Sequence, residues 1–228
     1  MKISLTNKTA VVTGASSGLG KAMTEALSKE GVRVFALARN INQTKLPPEV
    51  QKIQCNIRDL HSIDEAFSKV DRQSETIDFL INCAGRGLVK TFAETTREEI
   101  MDVLGVNLKG NIFIAQEVYK RMIPKKSGHI VNVGSTSSIK AREMEVLYCA
   151  SKWGLRGFTE SLRLEARKHG IKVTGVYPGG MNSENFWKVV PGKDISGYMD
   201  PDDVAERILS IISASPLTAT TELIIERP

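Results

Sequence analysis

The stretch VVTGASSGLGKA, residues 11–22, is an apolar run that stops at three glycines, Gly14, Gly18 and Gly20. TAVVT reads as a short buried strand, and residues from about Leu19 to Glu30 as a helix that Gly31 ends. The glycines therefore occupy a strand-to-helix turn. Lacking a Cβ, a glycine lets backbone turn tightly or approach a ligand closely. A helix N-terminus adds free N–H groups and partial positive charge, and both favour phosphate. The spacing is G-x-x-x-G-x-G rather than G-x-G-x-x-G. It is not a P-loop either, because Ala22 follows Gly20-Lys21 where a Ser or Thr would hold magnesium. The turn is read as a cradle for the diphosphate of a nicotinamide dinucleotide.

Strand and helix patterns alternate outward from this turn. VRVFALA is a second strand, KIQCNI a weaker third, and DLHSIDEAFSKVDRQ a helical stretch. IDFLINCAG is a strand that breaks at Gly85. A capping box at Thr95/Glu98 or Thr96/Glu99 opens a long helix, or helix pair, to about Met122. HIVNVGS is a strand, and about Leu147 to Lys168 is helical with Gly170 behind it. IKVTGVYP is a strand, PDDVAERILSII a helix with proline in its first turn, and TELIIE a last strand. Such alternation builds βαβ units. It predicts one α/β domain over 1–228, a Rossmann-type doubly wound parallel sheet of about seven strands with helices on both faces. Ligands of such sheets bind beyond the carboxyl ends of the strands.

Composition narrows the class. The chain has 228 residues, 25% charged and 41% hydrophobic, which suits one globular domain. No apolar run approaches a spanning helix, and MKISLTNKTAVV lacks the apolar core of a secretion signal. The expectation is a soluble cytoplasmic protein with no membrane partner. Net charge is +5, but basic and acidic residues are interspersed, so no nucleic-acid partner is expected. Cys55, Cys83 and Cys149 fit neither a disulfide framework nor a zinc site, and no metal is expected. His61, His129 and His169 read as surface or turn residues.

The second strand ends at Ala38-Arg39-Asn40, about twenty residues beyond the glycines. An acidic residue there would bind the ribose 2′-hydroxyl of NAD. Arg39 instead offers paired, charge-assisted hydrogen bonds to a 2′-phosphate, which points to NADP(H). Tyr148 and Lys152 in YCASKWGL share a helix face four residues apart. A nearby ammonium favours a phenolate, so Lys152 is expected to lower the Tyr148 pKa from its ordinary value near 10. Ser135 ends the strand HIVNVGS thirteen residues before Tyr148, where ligands bind. Asn107 lies inside a helical stretch for which an amide is a mediocre former.

TGASSGLG, NCAG, Asn107, Ser135, Tyr148-x-x-x-Lys152 and Pro178-Gly179 together resemble the short-chain dehydrogenase/reductase family in order and spacing, over essentially the whole chain. The resemblance implies that Tyr148 is the general acid or base and that Ser135 holds the carbonyl oxygen. Lys152 would tune the tyrosine and bind the nicotinamide ribose, and Asn107 would anchor a water in a relay to Lys152. It implies cofactor contacts from Thr13, Gly14, Ser16, Gly18, Leu19, Gly20, Asn56, Asn82, Gly85, Tyr148, Pro178, Gly179 and Ser183. Asn56 stands where the family commonly has Asp, and Ser183 where it usually has Thr. The implied activity is NADP(H)-dependent hydride transfer to a small-molecule carbonyl or from an alcohol. The alternative is a non-catalytic NADP(H) sensor on the same fold. A sugar-nucleotide epimerase with a similar Tyr-x-x-x-Lys would need an added substrate domain. Segments 86–92, 142–147 and 184–199 should border the substrate, with 184–200 as a lid. Arg86 and Arg142 leave room for an acidic substrate group. The long helices over 97–122 and 147–168 imply a homotetramer or homodimer.

Overall fold

Strand β1 (Thr9–Thr13) is buried along its whole length, and its side chains divide between two cores. Ala10 and Val12 point to one face of a sheet, Val11 to the other. The computed structural model that establishes this describes residues 3–190 and 192–228; Pro191, within the expected lid, lies outside the described residues. β1 pairs in parallel with β2 (Arg33–Ala38) and with β4 (Phe79–Asn82). β3 (Gln51–Gln54), β5 (Gly128–Val133), β6 (Ile171–Pro178) and β7 (Glu222–Ile225) complete a sheet of order β3-β2-β1-β4-β5-β6-β7. All pairings are parallel. The seven-stranded, doubly wound sheet is as the alternating pattern predicts. Strand order reverses direction between β1 and β4, which opens a crevice at their carboxyl ends.

Helices α1 (Gly18–Lys29) and α6 (Pro201–Ile212) cover one face through Met23, Leu27, Val204 and Ile208. Helices α2 (Leu60–Asp71), α4 (Asn111–Met122) and α5 (Val146–Ala166) cover the other through Phe67, Ile114, Val118 and Ala166. Each of these fully buried Val, Leu, Ile, Phe and Met side chains contributes about 1.5–3 kcal/mol by leaving water. Of the two expected capping boxes, Thr96 with Glu99 forms and opens α3 (Arg97–Leu104). The Gly170 cap adopts the left-handed conformation at φ 68°.

Of the long helix or helix pair expected to about Met122, the pair forms: α3 and α4 are joined by a wider π-helical turn, Gly105–Gly110, that contains Asn107. One local reading is corrected. His129 is not a surface residue. It sits in β5 at 4% exposure, its Nε2 2.8 Å from Thr174 Oγ1. Thr174 donates its own proton to Thr220 O, so the imidazole donates from Nε2. Among the described residues no helix is long and apolar enough to cross a membrane, and no group of His, Cys, Asp or Glu is placed to hold a metal.

Candidate active site

A cavity of about 720 Å³ runs along the carboxyl ends of the strands. One end is the glycine turn. Gly14 has φ +66°, and a Cβ there would lie 2.9 Å from the Ala84 backbone. A Cβ on Gly20 would lie 2.3 Å from Gly14 O, so this glycine lets α1 approach β1. The Ser17 side chain makes no cap hydrogen bond, and the first turn of α1 carries no acidic residue. The helix N-terminus thus keeps free N–H donors and an uncompensated partial positive charge beside the cavity. Ser183 closes over the turn, its Oγ 2.7 Å from where a Gly18 Cβ would stand. These features fit a dinucleotide diphosphate.

Gly14, Ser16, Gly18, Leu19, Gly20, Arg39, Asn56, Gly85, Pro178, Gly179 and Ser183 all line the cavity, as do Ser135, Tyr148 and Lys152. Asn56 is partly committed: its Oδ1 accepts from Arg58 N at 3.3 Å. Thr13, Asn82 and Asn107 stand one layer behind the wall, each at 0% exposure. Thr13 Oγ1 accepts from Ala84 N at 3.2 Å and donates to Asn82 Oδ1 at 3.4 Å. Asn82 Nδ2 reaches Asn111 O and Asn132 Oδ1. These side chains hold the strand ends in register from inside.

At the other end, Ser135 caps a short turn after β5. Its Oγ accepts from Ser137 N at 3.1 Å, which leaves the hydroxyl proton free to donate. Tyr148 and Lys152 project from the first turns of α5, at 7% and 4% exposure. Lys152 Nζ donates to Val133 O at 3.0 Å and lies 5.8 Å from the Tyr148 ring centroid. The expected lowering of Tyr148 by Lys152 is not what this geometry gives. Burial raises the phenol well above the usual tyrosine range, and Ser135 offsets only part of the rise. Burial also pushes the Lys152 ammonium down to about 8. At neutral pH the end of the cavity therefore carries a protonated phenol, a hydroxyl donor and an ammonium.

Asn107 clasps the loop after β4. Its Oδ1 accepts from Arg86 N at 2.8 Å, and its Nδ2 donates to Arg86 O and to Ser151 Oγ. Gly85 stands between it and Lys152: a Cβ there would be 3.5 Å from Asn107 Oδ1 and 3.6 Å from Lys152 Nζ.

A family model described as short chain dehydrogenase matches residues 8–194. The chain belongs to the short-chain dehydrogenase family. It is 29% identical over 211 residues to an uncharacterized oxidoreductase of Staphylococcus aureus (strain N315), covering 90% of each. It is 30% identical over 223 residues to carbonyl reductase family member 4 of Xenopus tropicalis, covering 92% of this chain and 93% of that one. Among solved structures it resembles the closed form of serine dehydrogenase complexed with NADP+, at TM-score 0.88 and 25% identity, covering 95% and 94%.

Other residues of this short-chain dehydrogenase gave no signal at the level of sequence. Asn111 Nδ2 donates to Ala84 O, Val106 O and Asn107 O, so it holds both the π turn and the β4 end. Asn132 carries the buried polar chain onward to Thr159 Oγ1 on α5. Ser151 links Asn107 to the backbone of Tyr148. Arg227 reaches the cavity from beyond β7. Segment 86–89 and residues Arg142, Glu145, Phe186, Trp187, Val189 and Tyr198 also wall the cavity, in the three stretches expected to border a substrate.

Proposed function

We propose that this short-chain dehydrogenase is an NADP(H)-dependent carbonyl reductase, or alcohol dehydrogenase in reverse. One observation carries the reading: two O–H donors, Ser135 and Tyr148, and the Lys152 ammonium share one end of a cavity whose other end is a diphosphate cradle. Bound NADPH supplies the hydride. Ser135 and Tyr148 donate to the carbonyl oxygen, where negative charge develops. Tyr148 then gives up its proton, because an alkoxide is far more basic than a phenolate. A phenol held protonated through the neutral range suits that donation. Lys152, its Nζ 5.8 Å from the Tyr148 ring centroid, would bind the nicotinamide ribose. Asn107 would support a water-borne relay to Lys152 through the π turn. Arg39 favours NADPH over NADH. Exclusion of water by the aromatic residues of 184–200, acting as a lid, would strengthen these interactions.

The chain would assemble through α3, α4 and α5 as a dimer or tetramer. Met101, Trp153 and Leu164 on α3 and α5 are exposed at 69%, 48% and 66%. A solution mass equal to one chain would contradict that assembly. The catalytic reading is tested by NADPH consumption across aldehydes, ketones, quinones and β-keto thioesters. Turnover with NADPH, and far less with NADH at equal concentration, is expected. Tight NADPH binding with no turnover of any carbonyl would contradict a reductase.

A further inference from the structure

Four arginines line the large cavity: Arg39, Arg86, Arg142 and Arg227. They differ in what they already hold. Arg39 follows β2, on the cofactor side. Arg86 shares the Asp102 carboxylate with Arg58, so its charge is answered. Arg142 and Arg227 stand at the catalytic end and also share a neighbouring hollow walled by Thr136, Gly179, Gly180 and Gly197. Among the described residues, neither has a carboxylate within 4.0 Å.

Both are oriented by uncharged partners. Arg142 Nη2 donates to Thr136 Oγ1 at 3.1 Å, next in sequence to Ser135. Arg227 Nη1 donates to Gly197 O at 3.0 Å, and its guanidinium lies 4.5 Å from the Tyr198 ring centroid. Each keeps further N–H donors in the fork geometry that matches a carboxylate. An aromatic wall runs from one to the other. Tyr148 meets Phe186 at 5.6 Å, Phe186 meets Trp187 at 5.1 Å and Trp187 meets Tyr198 at 5.1 Å, each edge to face. Apolar walls lower the local dielectric and strengthen an ion pair formed there. Glu145 and Glu226 are the acidic residues on these walls. Glu145 Oε2 is engaged by Ser137 Oγ at 3.0 Å. Phe186 also closes against Gly87, where a Cβ would be 3.0 Å from its Cζ, so the space beside Tyr148 is short.

We infer that the substrate is a short oxo acid, with a carboxylate close to the carbonyl that is read by Arg142 and Arg227. The inference rests on the carbonyl-reduction reading. In the step, the carbonyl carbon takes hydride from NADPH and the oxygen takes the Tyr148 proton. The carboxylate stays ionised, and a hydroxy acid and NADP+ leave.

The test compares kcat/KM for short oxo acids with that for their uncharged methyl esters: pyruvate, acetoacetate and succinic semialdehyde, each beside its ester. The wild-type protein should prefer at least one acid. Arg142→Gln and Arg227→Gln should each cut the acid-over-ester ratio on the order of 100-fold, the loss expected for a charge-assisted pair. Arg142→Lys should restore part of it and guards against a variant that fails to fold. Esters used as well as acids by the wild type, or a preference that survives both Gln substitutions, would overturn the inference and leave the reductase intact. No turnover of any acid, ester or neutral ketone would bring down the reductase reading itself, and this inference with it.

Discussion

Tyr148 is kept as a phenol by its surroundings: burial raises it, and the Ser135 hydroxyl offsets only part. Its i,i+4 spacing to Lys152 was legible in YCASKWGL, but the direction of its titration was not. Spacing places two side chains on one face, whereas burial is decided by the sheet and by the Phe186 ring packed against it. Arg39 is a simpler case, because its place depends only on following β2. Replacing it with Ala should remove hydrogen bonds to a charged phosphate, worth about 1.5–3 kcal/mol, and so weaken NADPH binding by about 10- to 100-fold. NADH affinity should hardly change, and the NADPH effect should shrink at high salt. Fluorescence titration of both cofactors checks this; equal losses would mean that Arg39 does not read the 2′-phosphate.

At the scale of the element, the glycine turn was legible because it is local. Glycines at a strand end and a helix start announce a tight turn with close backbone approach. The π turn at Gly105–Gly110 was not, since only part of what holds it is local: Asn111 bonds Val106 O and Asn107 O within the turn, but also Ala84 O beyond β4, and Asn107 accepts from Arg86 N. No periodicity announces such bonds. The same holds for His129, which HIVNVGS does not distinguish from a strand-end surface residue. Burial lowers its pKa from 6.5 to about 4, with Lys172 on β6 adding a smaller effect of the same sign. The unfolded chain therefore takes up this proton first as pH falls. His129 contributes stability above about pH 6.5 that is lost on approaching pH 4, on the order of 3 kcal/mol. Denaturant unfolding at a series of pH values should show that decline in the wild type and a flatter one in His129→Gln. Parallel curves would contradict it.

For the whole molecule, strand–helix alternation sufficed for the doubly wound sheet, because each βαβ unit needs only its own pattern. What alternation cannot supply is which distant segments meet at the strand ends. β7 lies beside β6 with Glu222–Ile225 against Gly175–Pro178, and this delivers Arg227 to the cavity that Arg142 enters from the other side. The buried chain Thr13–Asn82–Asn132–Thr159 likewise crosses three strands and a helix, and ties the cofactor end to the helix that carries Tyr148. On the proposed reading, Tyr148 gives one proton per turnover, and its hydroxyl contributes little of the affinity for NADPH. The most direct test is therefore single-turnover NADPH oxidation with a carbonyl substrate, wild type beside Tyr148→Phe, with NADPH affinity measured on both. The account predicts a rate lower by about 10²- to 10⁴-fold with affinity nearly intact; a Phe variant that turns over at the wild-type rate would contradict it.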